Sequence, residues 1–112
     1  DAEQYGAEIV SSADSIVEAE QWWASSTDSV TLVDTHLSAL GARHIVFGHD
    51  PSAFGKKGVM AEKLMGRLFL VDVGMSPTVN DSPGAMLLIE RATGTTVNAV
   101  AADGSRKLLF QE

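Results

Sequence analysis

The first forty residues place apolar side chains at the spacing of amphipathic helices. One helical face is formed by Ile9, Ala13, Ile16, Val17 and Trp23. This pattern predicts a first helix over Ser12 to Trp23. After a polar break, a second face is formed by Val30, Val33, Leu37 and Leu40. It predicts a second helix from Asp28 to Leu40, which ends before Gly41, a residue type that commonly follows a helix C-terminus.

After Gly41 the pattern changes to short runs of β-branched and large apolar residues separated by turn residues. Five strands are predicted, over His44 to Phe47, Leu68 to Val73, Met86 to Arg91, Thr96 to Ala101 and Lys107 to Phe110. Thr93-Gly94 and Asp103-Gly104 are hairpin signals, so the last three strands should form an antiparallel meander. The expected fold class is therefore α/β, with two N-terminal helices packed on a mixed sheet that ends in this meander.

Length, composition and net charge exclude several classes of protein and of binding partner. With 112 residues the chain has room for one domain and one core. Eight basic against fifteen acidic residues give a net charge of −7, which is the wrong sign for nucleic acids or anionic membrane surfaces as default partners. No apolar run approaches the ~20 residues of a transmembrane helix. Because cysteine is absent, a metal ion would have to be held by His, Asp, Glu or Asn side chains.

The best candidate for a functional residue is His49, where the first predicted strand ends in Gly48-His49-Asp50-Pro51. Glycine lets a metal ion or a phosphate approach the backbone, and the strand end fixes the direction of the imidazole. From the residues alone, a hydrogen-bonded structural histidine is the more common role. Two loops, Asp50 to Gly58 and Gly74 to Gly84, are longer than a hairpin needs; loops of this length in small domains often carry function, although plain surface connections are at least as common.

Residues 40–89 resemble the C-terminal part of calcineurin-like metallophosphoesterases, most closely bacterial members near the phosphoprotein-phosphatase type. The likeness is carried by Gly48-His49, by Asp72-Val73-Gly74-Met75-Ser76 on the following strand, and by Gly84 to Ile89. In that family a strand ending in Gly-His supplies one imidazole to a two-metal centre. The resemblance implies the C-terminal half of the family's α/β sandwich, a role for His49 as a metal ligand, divalent Mn, Fe or Zn ions, and hydrolysis of phosphomonoesters or phosphoproteins.

The chain departs from the family in two ways. Many members have Gly-His-x-His, whereas the residue two places after His49 is Pro51, as fits the phosphoprotein-phosphatase-like branch. The family's Gly-Asp-x-x-Asp and Gly-Asn-His-Asp/Glu motifs, which precede this segment, do not occur. The chain also begins at Asp1, without an initiator Met or a signal-peptide pattern, so its start is interpreted as processed or excised.

The resemblance therefore implies a C-terminal portion of an enzyme, spanning residues 1–112 as a single domain. Its partners would be the N-terminal part of the same protein and a phosphorylated substrate. The isolated chain is expected to be inactive and to hold metal weakly. The alternative is a non-catalytic acidic α/β interaction module in which the Gly-His-Asp corner is purely structural.

Two other segments imitate functional motifs. Asp34-Thr35-His36 has the family's Asp-x-His spacing, but residues two apart on a helix point about 200° apart and cannot chelate one ion. The opposing interpretation, a strand over Val30 to Val33, leaves too few residues for a parallel crossover before the His44 strand. Gly48 to Lys57 is similar to a phosphate-binding loop, but its spacing is too long and no Ser or Thr follows Lys57.

Four further residues receive structural interpretations. Trp22 and Trp23 are adjacent on a predicted helix, so one should pack and the other should lie partly exposed. Asp72 is expected to bond backbone amides of the loop after Gly74, because a buried carboxylate needs partners. His44, inside the first predicted strand, is expected to be structural.

Overall fold

The computed structural model describes residues 22–112. They form one helix and six strands, which are arranged in two three-stranded sheets. The helix α1 is Thr27–Leu40. The first sheet contains β1 (Ile45–Phe47), β2 (Ala61–Lys63) and β3 (Leu68–Leu70), and the second contains β4 (Ala85–Arg91), β5 (Thr95–Ala101) and β6 (Arg106–Gln111). The α/β class is confirmed.

The first predicted helix, Ser12 to Trp23, lies outside the described residues except for its last two. Trp22 and Trp23 form a turn and not a helix. Their ring centroids lie 4.9 and 5.6 Å from that of Phe47, and both side chains are half-buried. One tryptophan was expected to pack and the other to lie partly exposed; in the structure both rings pack on the same phenylalanine and both remain partly exposed.

The second predicted helix is confirmed as α1. Its N-cap is Ser26, whose hydroxyl oxygen accepts a hydrogen bond from the Ser29 amide at 3.2 Å. Gly41 ends it with φ +61°, and its amide donates to the last turn. Val33 and Leu37, four residues apart, form the buried face. Within residues 22–112 no helix is long and apolar enough to cross a membrane.

The first sheet has the strand order β1-β3-β2. β1 runs parallel to β3, with Phe47 opposite Leu70, and β2 runs antiparallel to β3, with Ala61 opposite Leu70. The sequence pattern did not predict β2, because Ala61-Glu62-Lys63 has no apolar alternation. This strand forms because β3 offers a second edge of backbone donors and acceptors for it to pair with.

The central strand β3 packs against α1 on one face and against the second sheet on the other. Leu68, Phe69 and Leu70 are all fully buried, as expected for a strand covered on both faces. Leu68 packs with Val33 and Leu37 of α1. Phe69 points to the opposite face, where its ring lies 6.2 Å from that of Phe110 on β6. The helix therefore covers one face of the first sheet and the second sheet covers the other.

The antiparallel meander β4-β5-β6 is confirmed, with both predicted hairpins in place. The expectation of a single mixed sheet is wrong, because the meander forms a sheet of its own. The predicted strand from Leu68 to Val73 ends at Leu70. The long connection that follows it carries the chain to the other layer.

An ion pair fixes α1 to the start of β3. Arg67 donates to both carboxylate oxygens of Asp34, from Nε to Oδ1 and from Nη2 to Oδ2 at 3.2 Å, and Nη1 donates to the Leu64 carbonyl at 3.0 Å. The hydrogen bond from Arg67, with its positive charge, holds the pKa of Asp34 below the ordinary value of 3.8. A bidentate pair of this kind has a defined geometry.

A pH titration is expected to reveal the ion pair between Asp34 and Arg67 through the lowered pKa of Asp34. Because the folded pKa of Asp34 is depressed, its contribution to stability is present above the unfolded pKa and is lost as the pH falls through the folded value. By NMR the Asp34 carboxyl should titrate below 3.8, and Arg67→Met should move its pKa back toward that value. Asp103, whose pKa is lowered by the hydrogen bonds from Ser105, is the control and should not respond. Unchanged titration of Asp34 in Arg67→Met would contradict the role of the pair.

Candidate functional site

The candidate site lies at one edge of the first sheet. Because β1 and β3 are parallel, their C-terminal ends meet there, and Phe47 accepts a hydrogen bond from the Val71 amide at 2.9 Å. The next residues of the two segments are adjacent, since a Cβ built on Gly48 would lie 3.7 Å from the Cβ of Asp72. The structure thus brings the Gly48-His49 segment beside the Asp72 to Ser76 segment.

His49 is exposed at this edge. Its backbone φ is +89°, a region that non-glycine residues seldom adopt, at a typical cost of about 1–3 kcal/mol. Its ring makes no hydrogen bond with any other residue of the 22–112 part of the chain. Within residues 22–112, neither imidazole nitrogen has a hydrogen-bond partner. A strained backbone of this kind is typical of functional positions.

Asp50 is held in place by the residue two positions further on. One carboxylate oxygen accepts hydrogen bonds from the Ser52 amide at 2.8 Å and from the Ser52 hydroxyl at 2.6 Å. These two bonds, together with the neighbouring His49, lower the pKa of Asp50 below its ordinary value. The carboxylate next to His49 is therefore negatively charged at neutral pH.

Asp72 bonds the backbone of its own loop, as predicted. Its carboxylate accepts a hydrogen bond from the Gly74 amide at 2.9 Å, and the side chain is half-buried. Gly74 has φ +63°, and a Cβ there would press on Val79 and Asn80. The second oxygen of Asp72 makes no further hydrogen bond among the described residues.

Asn80 joins the two long loops at this edge. Its side-chain amide donates to the Val73 carbonyl at 3.2 Å. The same side chain packs so closely on Gly58 that a Cβ at Gly58 would overlap it. The loop from Gly74 to Gly84 is further closed on itself, because the Ser76 carbonyl accepts from three successive amides, those of Val79, Asn80 and Asp81. The sequence analysis did not single out Asn80, since one asparagine in a polar loop carries no distinguishing signal.

His44 provides a contrast with His49. Its Nδ1 lies 2.7 Å from the Gly66 carbonyl oxygen, to which it donates. Its ring stands edge-on to Phe69 and Phe110, and its Nε2 is buried without a hydrogen-bond partner among residues 22–112. His44 is a packed residue just before β1, in keeping with its structural interpretation.

The segments that imitate functional motifs lie apart from this edge. Asp34 and His36 stand on α1, where Asp34 is engaged by Arg67 and His36 is exposed. They do not converge on one ion. Lys56 and Lys57 are exposed, which fits solvated charge.

The side chains at this edge are of the types that bind divalent transition metals, but there are few of them. His49 offers an imidazole, and Asp50 and Asp72 follow the ends of β1 and β3 with carboxylates, which are nitrogen and oxygen ligands for Mn, Fe or Zn. In the part of the chain described here no three His, Asp or Glu side chains come together as a metal site. Among the described residues, these side chains therefore do not by themselves complete a metal site.

Comparison with known proteins returned no relative. No known protein family matches the chain, and neither does any curated protein or any solved structure.

Proposed function

We propose that this chain is the C-terminal segment of a two-metal phosphoesterase that hydrolyses phosphomonoesters or phosphoproteins. His49 binds one of the two metals through its neutral imidazole. The other ligands come from sequence outside this chain, so the coding sequence that precedes Asp1 is expected to contain Asp-x-His, Gly-Asp-x-x-Asp and Gly-Asn-His-Asp/Glu. The absence of those motifs from that sequence would contradict the proposal.

The observation that carries the proposal is the placement of His49. It lies at the C-terminal edge of a parallel strand pair, where α/β proteins place their sites. It has a strained backbone and an exposed ring, and it lies next to the segment that carries the rest of the resemblance. A purely structural histidine is better described by His44, with its enclosed and hydrogen-bonded ring. This contrast favours the ligand role over the interaction-module alternative.

The chemistry of such a centre is divided between metal and protein. Divalent metals bound there would supply Lewis acidity toward the phosphate and would activate a water molecule for attack. His49 would offer an imidazole nitrogen from a backbone position that β1 and the Asp50-Ser52 turn hold in place. The negative charges of Asp50 and Asp72 favour a cation at this edge.

Manganese binding to the 112-residue chain is a direct test. A single imidazole with adjacent carboxylates holds a metal ion weakly, so Mn²⁺ should broaden the His49 ring signals in an NMR titration without saturating at equimolar metal. His36 is the internal control, because it is also exposed but has no acidic neighbour at i±1. Its signals should broaden much less at the same Mn²⁺ concentration.

Two alanine variants test whether His49 itself binds the metal. His49→Ala should abolish the selective broadening around Gly48 and Asp72, whereas His36→Ala should leave it unchanged. Equal broadening of His36 and His49 would overturn the assignment of His49 as a metal ligand. The 112-residue chain itself should hydrolyse a generic phosphomonoester at background rate, with or without manganese.

A further inference from the structure

Strand β4 has an open edge. It forms one side of the second sheet, whose strand order is β4-β5-β6. In an antiparallel pair, alternate residues turn their N–H and C=O groups away from the neighbouring strand, so about half of the backbone groups of β4 point outward. Within residues 22–112, β4 makes no backbone–backbone hydrogen bond other than those with β5. One more strand would satisfy these outward groups.

The other three sheet edges among the described residues are protected from such pairing. β1 and β2 are three residues long, and a very short edge strand is a poor template for another strand. β6 begins with Arg106 and Lys107, and charged side chains, lysine above all, keep a second strand away from an edge. β4 instead has five uncharged residues in succession, from Ala85 to Ile89. It is therefore the edge best suited to pair with another strand.

The side chains of β4 are apolar on both faces of the sheet. Because side chains alternate along a strand, Leu87 and Ile89 lie on one face, and Met86 and Leu88 lie on the other. Met86 is 58% exposed and Ile89 is 40% exposed, so both faces still offer apolar surface beside the open edge. A strand that pairs here has to be apolar on both of its own faces. β4 itself meets this requirement.

The sequence of β4 fits a second copy of itself in one antiparallel register. With a two-fold axis at Leu88, all seven residues find an opposite residue: Leu88 faces Leu88, Leu87 faces Ile89, Met86 faces Glu90, and Ala85 faces Arg91. Each pair joins two even-numbered or two odd-numbered residues, so the sheet faces and the outward backbone groups both match across the axis. No two charges of like sign stand opposite each other, an arrangement that would destabilise the pair.

We propose that two copies of this chain associate by antiparallel pairing of β4 with β4, which joins their second sheets into one continuous sheet. The interface is isologous, so it closes as a dimer and leaves no β4 edge open for a third copy. This dimer is independent of the proposed function, because it uses neither a metal nor the Gly48-His49 segment.

The pairing covers little surface, so the dimer is weak. A seven-residue edge is about 23 Å long and about 10 Å thick. Its area is on the order of 230 Å² per partner, against about 800 Å² per partner in a typical stable complex. Each chain also has a net charge of −7, so the two copies repel each other. We expect a dissociation constant between about 10 μM and about 1 mM, which should fall as added salt screens this repulsion.

Sedimentation equilibrium of the 112-residue chain measures the dimer. Leu88→Lys places an ammonium group beside its own symmetry mate and removes an apolar contact, so it should raise the dissociation constant at least about tenfold. Leu108→Lys is the matched control, because Leu108 lies in the same row of the sheet, beyond Asn98, but two strands away from the β4 edge. It should leave the dissociation constant unchanged. The circular dichroism spectrum should be the same in both variants.

Isotope-filtered NMR of the unmodified chain locates the interface without any variant. In a mixture of ¹³C-labelled and unlabelled chains, intermolecular NOEs should connect Leu87 with Ile89, and Met86 with Glu90. Intermolecular NOEs that arise only elsewhere, for instance at Val46 on the edge of the first sheet, would overturn the proposal.

Three further results would also contradict the β4 dimer. The first is a chain that remains monomeric up to about 1 mM. The second is an equal effect of Leu88→Lys and Leu108→Lys on the dissociation constant. The third is a dissociation constant that rises with salt, because ion pairs and not the uncharged β4 edge would then hold the two copies together.

Discussion

Replacing His49 by alanine in the longer enzyme that the proposed function requires is expected to lower kcat/KM for a phosphomonoester by about 100-fold or more. Loss of a residue that only orients a metal ligand typically costs 10–100-fold, and removal of the ligand itself should reach the upper end of that range. The fold should not change, because the His49 ring is exposed and makes no hydrogen bond within residues 22–112. The metal content of the purified protein should fall with the activity.

His36→Ala is the matched control for this experiment. His36 is an exposed histidine on α1, and its replacement should leave both kcat/KM and metal content unchanged. A thermal unfolding midpoint that is the same in both variants would show that the activity loss of His49→Ala is local. If His49→Ala kept most of the wild-type activity and metal, the proposed role of His49 would be wrong.

Replacing Leu68 by alanine is expected to lower the free energy of unfolding by about 2–5 kcal/mol. Leu68 has no exposed surface and packs with Val33 and Leu37 of α1, so its truncation leaves a cavity where the helix meets the first sheet. A domain of this size typically has a stability of about 5–15 kcal/mol. The variant should therefore lose a large share of its stability in a urea titration monitored by circular dichroism.

Leu108→Ala provides the same chemical change at an exposed position. Leu108 lies on β6 with 53% of its surface exposed, so its truncation should cost less than about 1 kcal/mol. The difference between the two variants measures burial, because both remove the same atoms from a strand. Equal destabilisation by Leu68→Ala and Leu108→Ala would mean that β3 is not the centre of the core.

Helix α1 shows how far local pattern determines structure. Its bounds agree with the prediction to within one residue, because they depend on local features: the polar break before it, the i, i+4 pair of Val33 and Leu37, and Gly41 at its end. The two hairpins of the meander agree for the same reason, since their turn residues carry the required backbone conformations themselves. Gly104, for example, has φ +82°.

β2 shows where local pattern is insufficient. The segment Ala61-Glu62-Lys63 has no strand periodicity of its own, and it becomes a strand only because β3 lies beside it. The separation into two sheets is likewise a property of packing, since Phe69 needs a second layer on the face opposite Leu68. Neither feature follows from the residues of the segment concerned.

At the candidate site, too, one part follows from the sequence and another part depends on the tertiary structure. The sequence by itself singled out His49 at the Gly48-His49 strand end as a candidate, and it indicated the α/β class, because residue types, glycine positions and hydrophobic periodicity are local properties. Only the tertiary structure placed Asp72 beside Gly48 and tied the two long loops together through Asn80. Their juxtaposition depends on the parallel pairing of β1 with β3, between residues more than twenty positions apart, and no local pattern encodes a pairing at that separation.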